Sequence, residues 1–598
     1  MPNEIRDIQT VDETTHPYIY RENVSVPLRS GGVIRCNVYL PKDSQGKEYP
    51  VIATYGPYGK DVPYKDFHAE SFSKVEQDHQ TAHSAWETPT PSYWTAHGYV
   101  VVRADEVGVG QSPGTLDVLS KTTIDSFVDV IEWSATQPWS NGKVGLLGIS
   151  YYAATQWQVA ARQPRGLAAI VPWEGFSDFY RDAFRHGGIL SNHFFSVWWA
   201  RQVGSNQYGL PGKAARPWGP DTIEGDLGEA ELAANRVEQD AVFANRFRDD
   251  ARIEEVNFRL EDVNVPLLSV ANWGAISLHL RGNVHGFMRA SSPFKYLRFI
   301  TGRHDLPFYY KEDVEIQRSF LDAFLKGDDR HGWSRPGEVP AVDLVVRKGA
   351  EQIGFNDPQA EKAFPRRMEQ EWPLARTHYT HLFLQPSGAL SFERPDVTEA
   401  TAISYAAPGS LQSPQLVSFS TAPADSATEI TGHIVARLHV SAAAADPATG
   451  TAPSDIDLFL TLRHLSASGA EIHYTGAIGE PVPVAKGWLR VSLRKTDAAH
   501  PYHAPWLPHR EYRAADAEAV VPDEVYAVDV EVWPTSVVLE RGQRLVLEVA
   551  SGDTEGAGIF QHNESNDRSP KVFAGVNRIH FGPEYVNTLT LPVIPGEQ

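Results

Sequence analysis

The stretch "GLLGISYYAATQWQ", residues 145–158, decides the fold. A short apolar run ends at Ser150 and a helix-like pattern follows it, so the serine falls on a strand-to-helix turn that Gly148 allows to be tight. On its amino-terminal side, "YPVIATYGPY" (49–58) and "GYVVVRADEVG" (98–108) are continuous apolar runs of the kind a buried parallel sheet uses. Between them and the serine, "TIDSFVDVIEWSATQ" (123–137) places Ile124, Phe127, Val128, Ile131 and Trp133 close to helical spacing. After it come a helix over 151–163 and a strand in "LAAIVPWEG" (167–175). This βαβ series predicts an open, mostly parallel sheet with helices on both faces.

From residue 190 to 261 the pattern changes. "NHFFSVWWARQV" (192–203) and "GEAELAANRVEQDAVFANRFRDDARIEEV" (228–256) read as helices without an intervening strand, which predicts a helical cap inserted between the first part of the α/β domain (1–189) and its second part (262–345). Strands resume at "VPLLSVAN" (265–272) and "YLRFITGRHD" (296–305), and a helix follows in "EDVEIQRSFLDAFLKG" (312–327). Residues 346–598 alternate polar and apolar side chains between Pro- and Gly-rich turns, as in "DIDLFLTLRHLS" (455–466) and "VYAVDVEVWPTSVVL" (525–539). That texture predicts an all-β jelly roll.

A chain of 598 residues exceeds one ordinary core. Its 54 Lys+Arg against 75 Asp+Glu, net charge −21, argue against nucleic acid as a partner. The single cysteine, Cys36, rules out a disulfide framework and reads as a buried strand residue in "VIRCNVYL". The amino terminus has no basic-then-apolar signal pattern and no segment is a membrane span, so a cytoplasmic protein without a membrane partner is expected. A homo-oligomer is left open.

In a doubly wound sheet the ligand site lies at the carboxyl ends of the strands, where Ser150 is placed. A serine nucleophile needs a base for its proton, an acceptor that orients the base, and preorganised donors for the oxyanion. The backbone N–H of Tyr151 supplies one such donor by position. Taken alone, Gly-x-Ser after an apolar run is also an ordinary turn serine.

The longer segment "IEWSATQPWSNGKVGLLGISYYAATQWQ" (131–158) resembles the surroundings of the nucleophile in the cocaine esterase and X-Pro dipeptidyl-peptidase-like family of α/β-hydrolases, with Ala153 at the family's usual glycine. "YGPYGK" (55–60), "SDFYRD" (177–182), "FLDAFLKG" (320–327) and "EVWPTSVVLERGQRLVLEVASGD" (531–553) are similar to other elements of that family. "DEVGVGQSPG" (105–114) resembles a family turn but carries Val107 where relatives have arginine. The resemblance implies an α/β-hydrolase domain with a cap, a carboxyl-terminal jelly roll of galactose-binding-like type, and Tyr58 as the second oxyanion donor.

The resemblance also assigns the base to His304 in "ITGRHDLPFYY", and a position after the last sheet strand suits an imidazole that returns to the elbow. His279 and His285 lie in "SLHLRGNVHGF", which reads as a helix after a strand. Relatives carry the triad aspartate after the strand that here reads "VPLLSVANWGA", yet residues 263–303 contain no Asp or Glu, and Gly274 or Asn272 stands at the usual place. Either the acid has moved or a neutral acceptor such as Asn272 orients the base. Glu174, at the end of the strand beside the elbow, is the expected replacement. Asp178 is the second choice, and a salt bridge to Arg181 is the structural alternative for Glu174.

The expected protein is a serine hydrolase of carboxylic esters acting through an acyl-enzyme, with Ser150, His304 and Glu174 as triad and Tyr58 and the Tyr151 amide as oxyanion hole. Asp178, Trp198, Trp199 and Trp273 are candidate contacts for a small-molecule ester or amide substrate, and no metal or organic cofactor is needed. Acyl transfer, amide or X-Pro peptide cleavage, α-amino acid ester hydrolysis, and a binding protein with a degraded triad are the alternatives.

Overall fold

The apolar runs around Ser150 form the middle of an eleven-stranded sheet in the computed structural model, which describes residues 10–215, 225–350, 355–446, 448 and 452–596. Its strands are β1 (Val11–Asp12), β2 (Tyr18–Pro27), β3 (Val33–Pro41), β4 (Tyr49–Gly56), β5 (Val100–Asp105), β6 (Ser140–Ile149), β7 (Leu167–Trp173), β8 (Leu267–Asn272), β9 (Lys295–Ile300), β10 (Val342–Val345) and β11 (Arg366–Glu369). They lie in the order β1-β2-β3-β5-β4-β6-β7-β8-β9-β10-β11. All neighbours from β5 to β10 are parallel. The edges are antiparallel, β1 to β3 on one side and β11 on the other.

The central strands are buried on both faces, which their unbroken apolar runs require. Helices α1 (Lys121–Ala135) and α2 (Tyr151–Ala161) follow β5 and β6, and Ser120 caps α1 by accepting from the Thr123 N–H. The strand order reverses around β4, so the loops leaving β4 and β6 diverge over a crevice at the carboxyl ends. The first sheet continues past residue 345, where the sequence suggested the domain ends, because β11 pairs the exposed edge of β10.

Residues 190–261 contribute no strand to the large sheets among the described residues. α3 (His193–Trp198) runs into a π-helical turn, Trp199–Val203, and approaches the strand ends. The helices expected over 228–256 are three short ones, Glu229–Ala234, Gln239–Phe243 and Ala251–Glu254. Within them only Leu232 and Ile253 are buried, so no apolar stripe sustains a longer helix.

The carboxyl-terminal part is all-β and contains a closed barrel. Thr428–Ala443 pairs with Tyr526–Leu539 on one edge and with Thr588–Ile594 on the other, which closes a ring through the intervening strands. The two parts dock tightly. Gly187, at φ +56°, passes so close to Trp488 that an added Cβ would lie 2.1 Å from its carbonyl oxygen. Arg185 pairs with Asp567 at 2.7 Å across the same contact. Among the described residues, no helix is long and apolar enough to cross a membrane.

Candidate active site

Ser150 occupies the turn between β6 and α2 at φ 58° and ψ −114°, a conformation L-residues rarely adopt. The turn is held from below, since the Ser150 N–H reaches the carbonyls of Trp173 (3.1 Å) and Glu174 (3.0 Å). Gly148 is required by close approach: a Cβ there would stand 2.6 Å from that of Tyr152. Ala153, where a glycine was expected from the resemblance, is accommodated by Gly175, whose missing Cβ would lie 2.5 Å from the alanine methyl.

Ser150 opens on a cavity of about 400 Å³ that Tyr58, Glu87, Trp198, His279 and His304 also line. Tyr58 follows β4. Its hydroxyl accepts from the Trp198 indole N–H at 3.0 Å, which leaves its own hydrogen to donate, and burial raises its pKa well above the usual value. The Tyr151 N–H is the first of α2 and has no intrahelical acceptor. The Tyr151 phenol points away from the cavity, accepts from Leu119 N–H at 3.0 Å and is fixed by Glu106, a carboxyl that burial lifts to about 8.

His304 follows β9, and its backbone N–H donates at 2.9 Å to the carbonyl of Ala477, which lies between two short paired strands of the carboxyl-terminal part. Its Nε2 lies 2.8 Å from Glu87 Oε1. Burial alone would lower this imidazole, yet the hydrogen bond and charge of Glu87, then the charges of Glu174 and Asp305, hold it at about 9. Asp305 is itself engaged by Tyr64, Ser71 and Arg303.

Glu174 lies at the end of β7 as expected, fully buried and at φ 50°. It does not line the cavity among the described residues, and it is not the carboxylate bonded to His304. Asn272 Nδ2 donates to its Oε1 at 3.1 Å and to the Gly302 carbonyl at 2.7 Å, so Asn272 ties Glu174 to the loop that carries His304. Burial lifts the Glu174 carboxyl to about 8, with the charge of His304 the main opposing influence. Asn272 Oδ1 accepts from the Gly274 N–H at 2.8 Å, and among the described residues no histidine is bonded to Asn272.

Three further expectations change. His279 precedes helix α4 (Leu280–Arg289) instead of lying within it, and its Nε2 is 3.2 Å from Ser150 Oγ, the contact the sequence reading gave to His304. Asp178 is ion-paired with Arg181 and, at 3.4 Å, with Arg248, and these charges hold its buried carboxyl well below the usual range. Of the tryptophans, Trp198 reaches the cavity, whereas Trp199 packs beside it and Trp273 is core, stacked on Phe299 with centroids 4.1 Å apart and donating to the Val345 carbonyl at 2.8 Å. His285 is buried 3.8 Å from Glu531, away from the serine.

Glu87 was missed by sequence reasoning. It lies in "AWETPT", an irregular turn before the short helix Pro91–Ala96, and reaches the site because its carbonyl accepts from the Ile149 N–H at 3.1 Å, one residue before Ser150. Nothing local in the sequence signals that crossing.

Residues 30–304 match the X-Pro dipeptidyl-peptidase (S15 family), and residues 337–590 match the X-Pro dipeptidyl-peptidase C-terminal non-catalytic domain. A cocaine esterase of Rhodococcus sp. (strain MB1 Bresler) is 24% identical, with 96% of this chain and 99% of that protein aligned. The crystal structure of a CocE/NonD family hydrolase from Staphylococcus aureus gives a TM-score of 0.79 at 26% identity, covering 96% of this chain and 94% of that one. An aminopeptidase from the marine sediment archaeon Thaumarchaeota archaeon shares the fold, with a TM-score of 0.63 at 16% identity over 99% of this chain and 99% of that one.

Proposed function

The chain belongs to the cocaine esterase and X-Pro dipeptidyl-peptidase-like (CocE/NonD) family of serine hydrolases, and on that premise we propose that it cleaves carboxylic esters through an acyl-enzyme on Ser150. The observation that carries this reading is the strained Ser150 elbow facing a cavity into which Tyr58 also presents its hydroxyl. In this reading the helical segment after residue 190 acts as a cap over the cavity and the β-barrel, of jelly-roll descent, closes its far side.

His304 is the base and Glu87 its carboxylate partner, with Glu174 a second buried carboxyl whose charge, once it ionises, also favours the imidazolium. Because Nε2 donates to Glu87, Nδ1 keeps the lone pair that takes the serine proton. In the free protein Ser150 Oγ rests against His279, so the serine-to-His304 contact is the one that substrate binding completes. Oγ then attacks the ester carbonyl carbon and its proton passes to His304. Tyr58 and the Tyr151 amide hold the oxyanion. Collapse expels the alkoxide, which His304 protonates, and water releases the acid by the reverse sequence.

An ester is favoured over a substrate with a free amino group by the state of the cavity's carboxylates. Glu87 Oε1 is bonded to His304 and Asp305 to Arg303, so each buried carboxylate at the cavity already faces a cationic side chain, while Glu70 is solvent-exposed and paired with Lys74 at 2.8 Å. Phe194, Trp198, Leu278 and Phe560 among the walls suit an apolar acyl or aromatic group. The test is a panel of acyl esters, aminoacyl esters and X-Pro amides, run with fluorophosphonate labelling of wild type and Ser150→Ala. Acyl esters should be turned over fastest to free acid, with labelling lost in Ser150→Ala. A folded wild type that is not labelled would sink the hydrolase reading. A new ester or amide formed from an added alcohol or amine, at the expense of free acid, would replace hydrolysis by transfer.

A further inference from the structure

His279 stands at the end of the loop leaving β8, the loop that contains no carboxylate, and delivers an imidazole to the nucleophile. The residue is 1% exposed, and its ring lies parallel to that of Phe176, centroids 5.9 Å apart and planes 8° from each other. Nε2 is 3.2 Å from Ser150 Oγ. Nδ1 is buried and has no hydrogen-bond partner among the described residues.

A neutral imidazole has one proton and two places for it. On Nδ1 the proton would be a buried donor with no acceptor. On Nε2 it points at Ser150 Oγ, and what is left without a partner is a lone pair, which folded proteins tolerate better than an orphaned N–H. A second proton is opposed first by burial and then by the charge of His304, and no carboxylate counters either.

We propose that His279 carries its proton on Nε2 and donates it to Ser150 Oγ, making it a catalytic hydrogen-bond donor and not the base. This rests on the reading of Ser150 as nucleophile. Because the serine oxygen accepts from His279, its own hydrogen is turned elsewhere and remains available to His304. As Oγ gains negative charge during attack, and again when it leaves the acyl group in deacylation, the hydrogen bond from Nε2 becomes charge-assisted and strengthens. No proton is transferred to or from His279 at any step. The serine proton goes to His304 and returns from it.

The test compares His279→Gln, whose amide N–H can still donate, with His279→Leu, which cannot. With p-nitrophenyl butyrate, His279→Leu should lose about 10²–10³ in kcat, the usual loss for one donor aimed at developing charge, while His279→Gln recovers to within about tenfold of wild type. Both should keep the pH limb set by His304. The proposal is overturned if both variants lose that limb and Ser150 labelling while His304→Gln still turns over, since His279 would then be the base. Wild-type kcat in a folded His279→Leu overturns it too. Ring-¹⁵N spectra give a readout independent of turnover and of whether the leucine variant folds. The resonances that vanish in His279→Gln should be a protonated Nε2 and a bare Nδ1, and the opposite pattern refutes the assignment. If the wild type neither labels nor hydrolyses, the hydrolase reading fails while these spectra still decide the tautomer.

Discussion

Replacing Glu87 by glutamine removes a charge from His304 while keeping the side chain's size and an oxygen at its end. His304 stands at about 9 although burial pulls it down, and the bond and charge of Glu87 are the strongest influences holding it up. Against an ordinary histidine near 6.5, that position is worth about 3 kcal/mol in favour of the imidazolium. Without Glu87, Glu174 and Asp305 are left to oppose the burial, and His304 should fall to about 7 or below. The base works in its neutral form, so kcat/KM of the wild type should rise with pH through about 9 and level off above it. In Glu87→Gln that limb should lie about two pH units lower.

The penalty therefore depends on pH. Above the limb both proteins hold a neutral base, and the variant shows the full loss of imidazolium stabilisation, about 10²-fold. At pH 7 only about one wild-type imidazole in 10² is neutral, which offsets the loss, and the two rates should agree to within about tenfold. Initial rates of p-nitrophenyl butyrate hydrolysis between about pH 6 and pH 10 measure this directly. A limb that stays near 9 in Glu87→Gln, or a loss of equal size at every pH, would refute the assignment of Glu87 as partner. If Glu174→Gln moves the limb instead, the carboxylate expected from the sequence regains the role.

Glu174→Gln tests the burial of that carboxyl by stability. Its folded pKa of about 8 lies above the unfolded value near 4.5, so the stability linked to its proton is complete below 4.5 and is lost as pH rises through 8. Thermal unfolding should find the variant more stable than wild type at pH 9, by a margin on the order of several kcal/mol that shrinks toward pH 5, and a constant difference across that range would contradict the burial cost. Tyr58→Phe should lower kcat by about 10²–10³ with the fold intact, and unchanged turnover would remove Tyr58 from the oxyanion hole. Gly187→Ala places a Cβ against the Trp488 carbonyl at a positive φ, so it should weaken docking of the barrel by more than about 1 kcal/mol, read as a lower Tm and faster limited proteolysis between the two parts. A wild-type melting curve in that variant would show that the contact yields at no cost.

The elbow was legible because one signal served both fold and site: the apolar run into Ser150 specifies a buried strand, and the position after it specifies the turn. Glu174 was legible as a place, the end of the neighbouring strand, but not as a role. Sequence tells that a carboxylate ends a strand, whereas Asn272 from the next strand decides which way it is bonded. His279 was set aside because "SLHLRGNVHGF" has helical texture, and the helix does form from Leu280 onward. A one-residue difference in where a helix begins separates a ring on a helix face from a ring held against the nucleophile, and helix ends are what periodicity fixes least. Glu87 needed a side-chain contact across 217 residues, to His304, from a turn with no regular pattern, and no local reading supplies that.

The carboxyl-terminal part walls the cavity that holds Ser150 and is not merely an appended module. Ala477 accepts from the backbone N–H of His304 at 2.9 Å, while Ile478, Ile559 and Phe560 form a wall of the cavity that holds Ser150. His304 lies on a loop that leaves its sheet at Ile300, and a loop held at one end by the sheet alone would let an imbalance between Glu87, Glu174 and solvent reorient the imidazole. The contact with Ala477 fixes the second end. Arg185 and Arg490 converge on Asp567, and the Leu190 N–H donates to the same carboxylate, so the segment leading into α3 is anchored on the carboxyl-terminal part as well. His304 and the segment leading into α3 are therefore both held by the carboxyl-terminal part, so a shift in docking would displace His304 and Trp198 together, and with Trp198 the hydrogen bond that orients the Tyr58 hydroxyl.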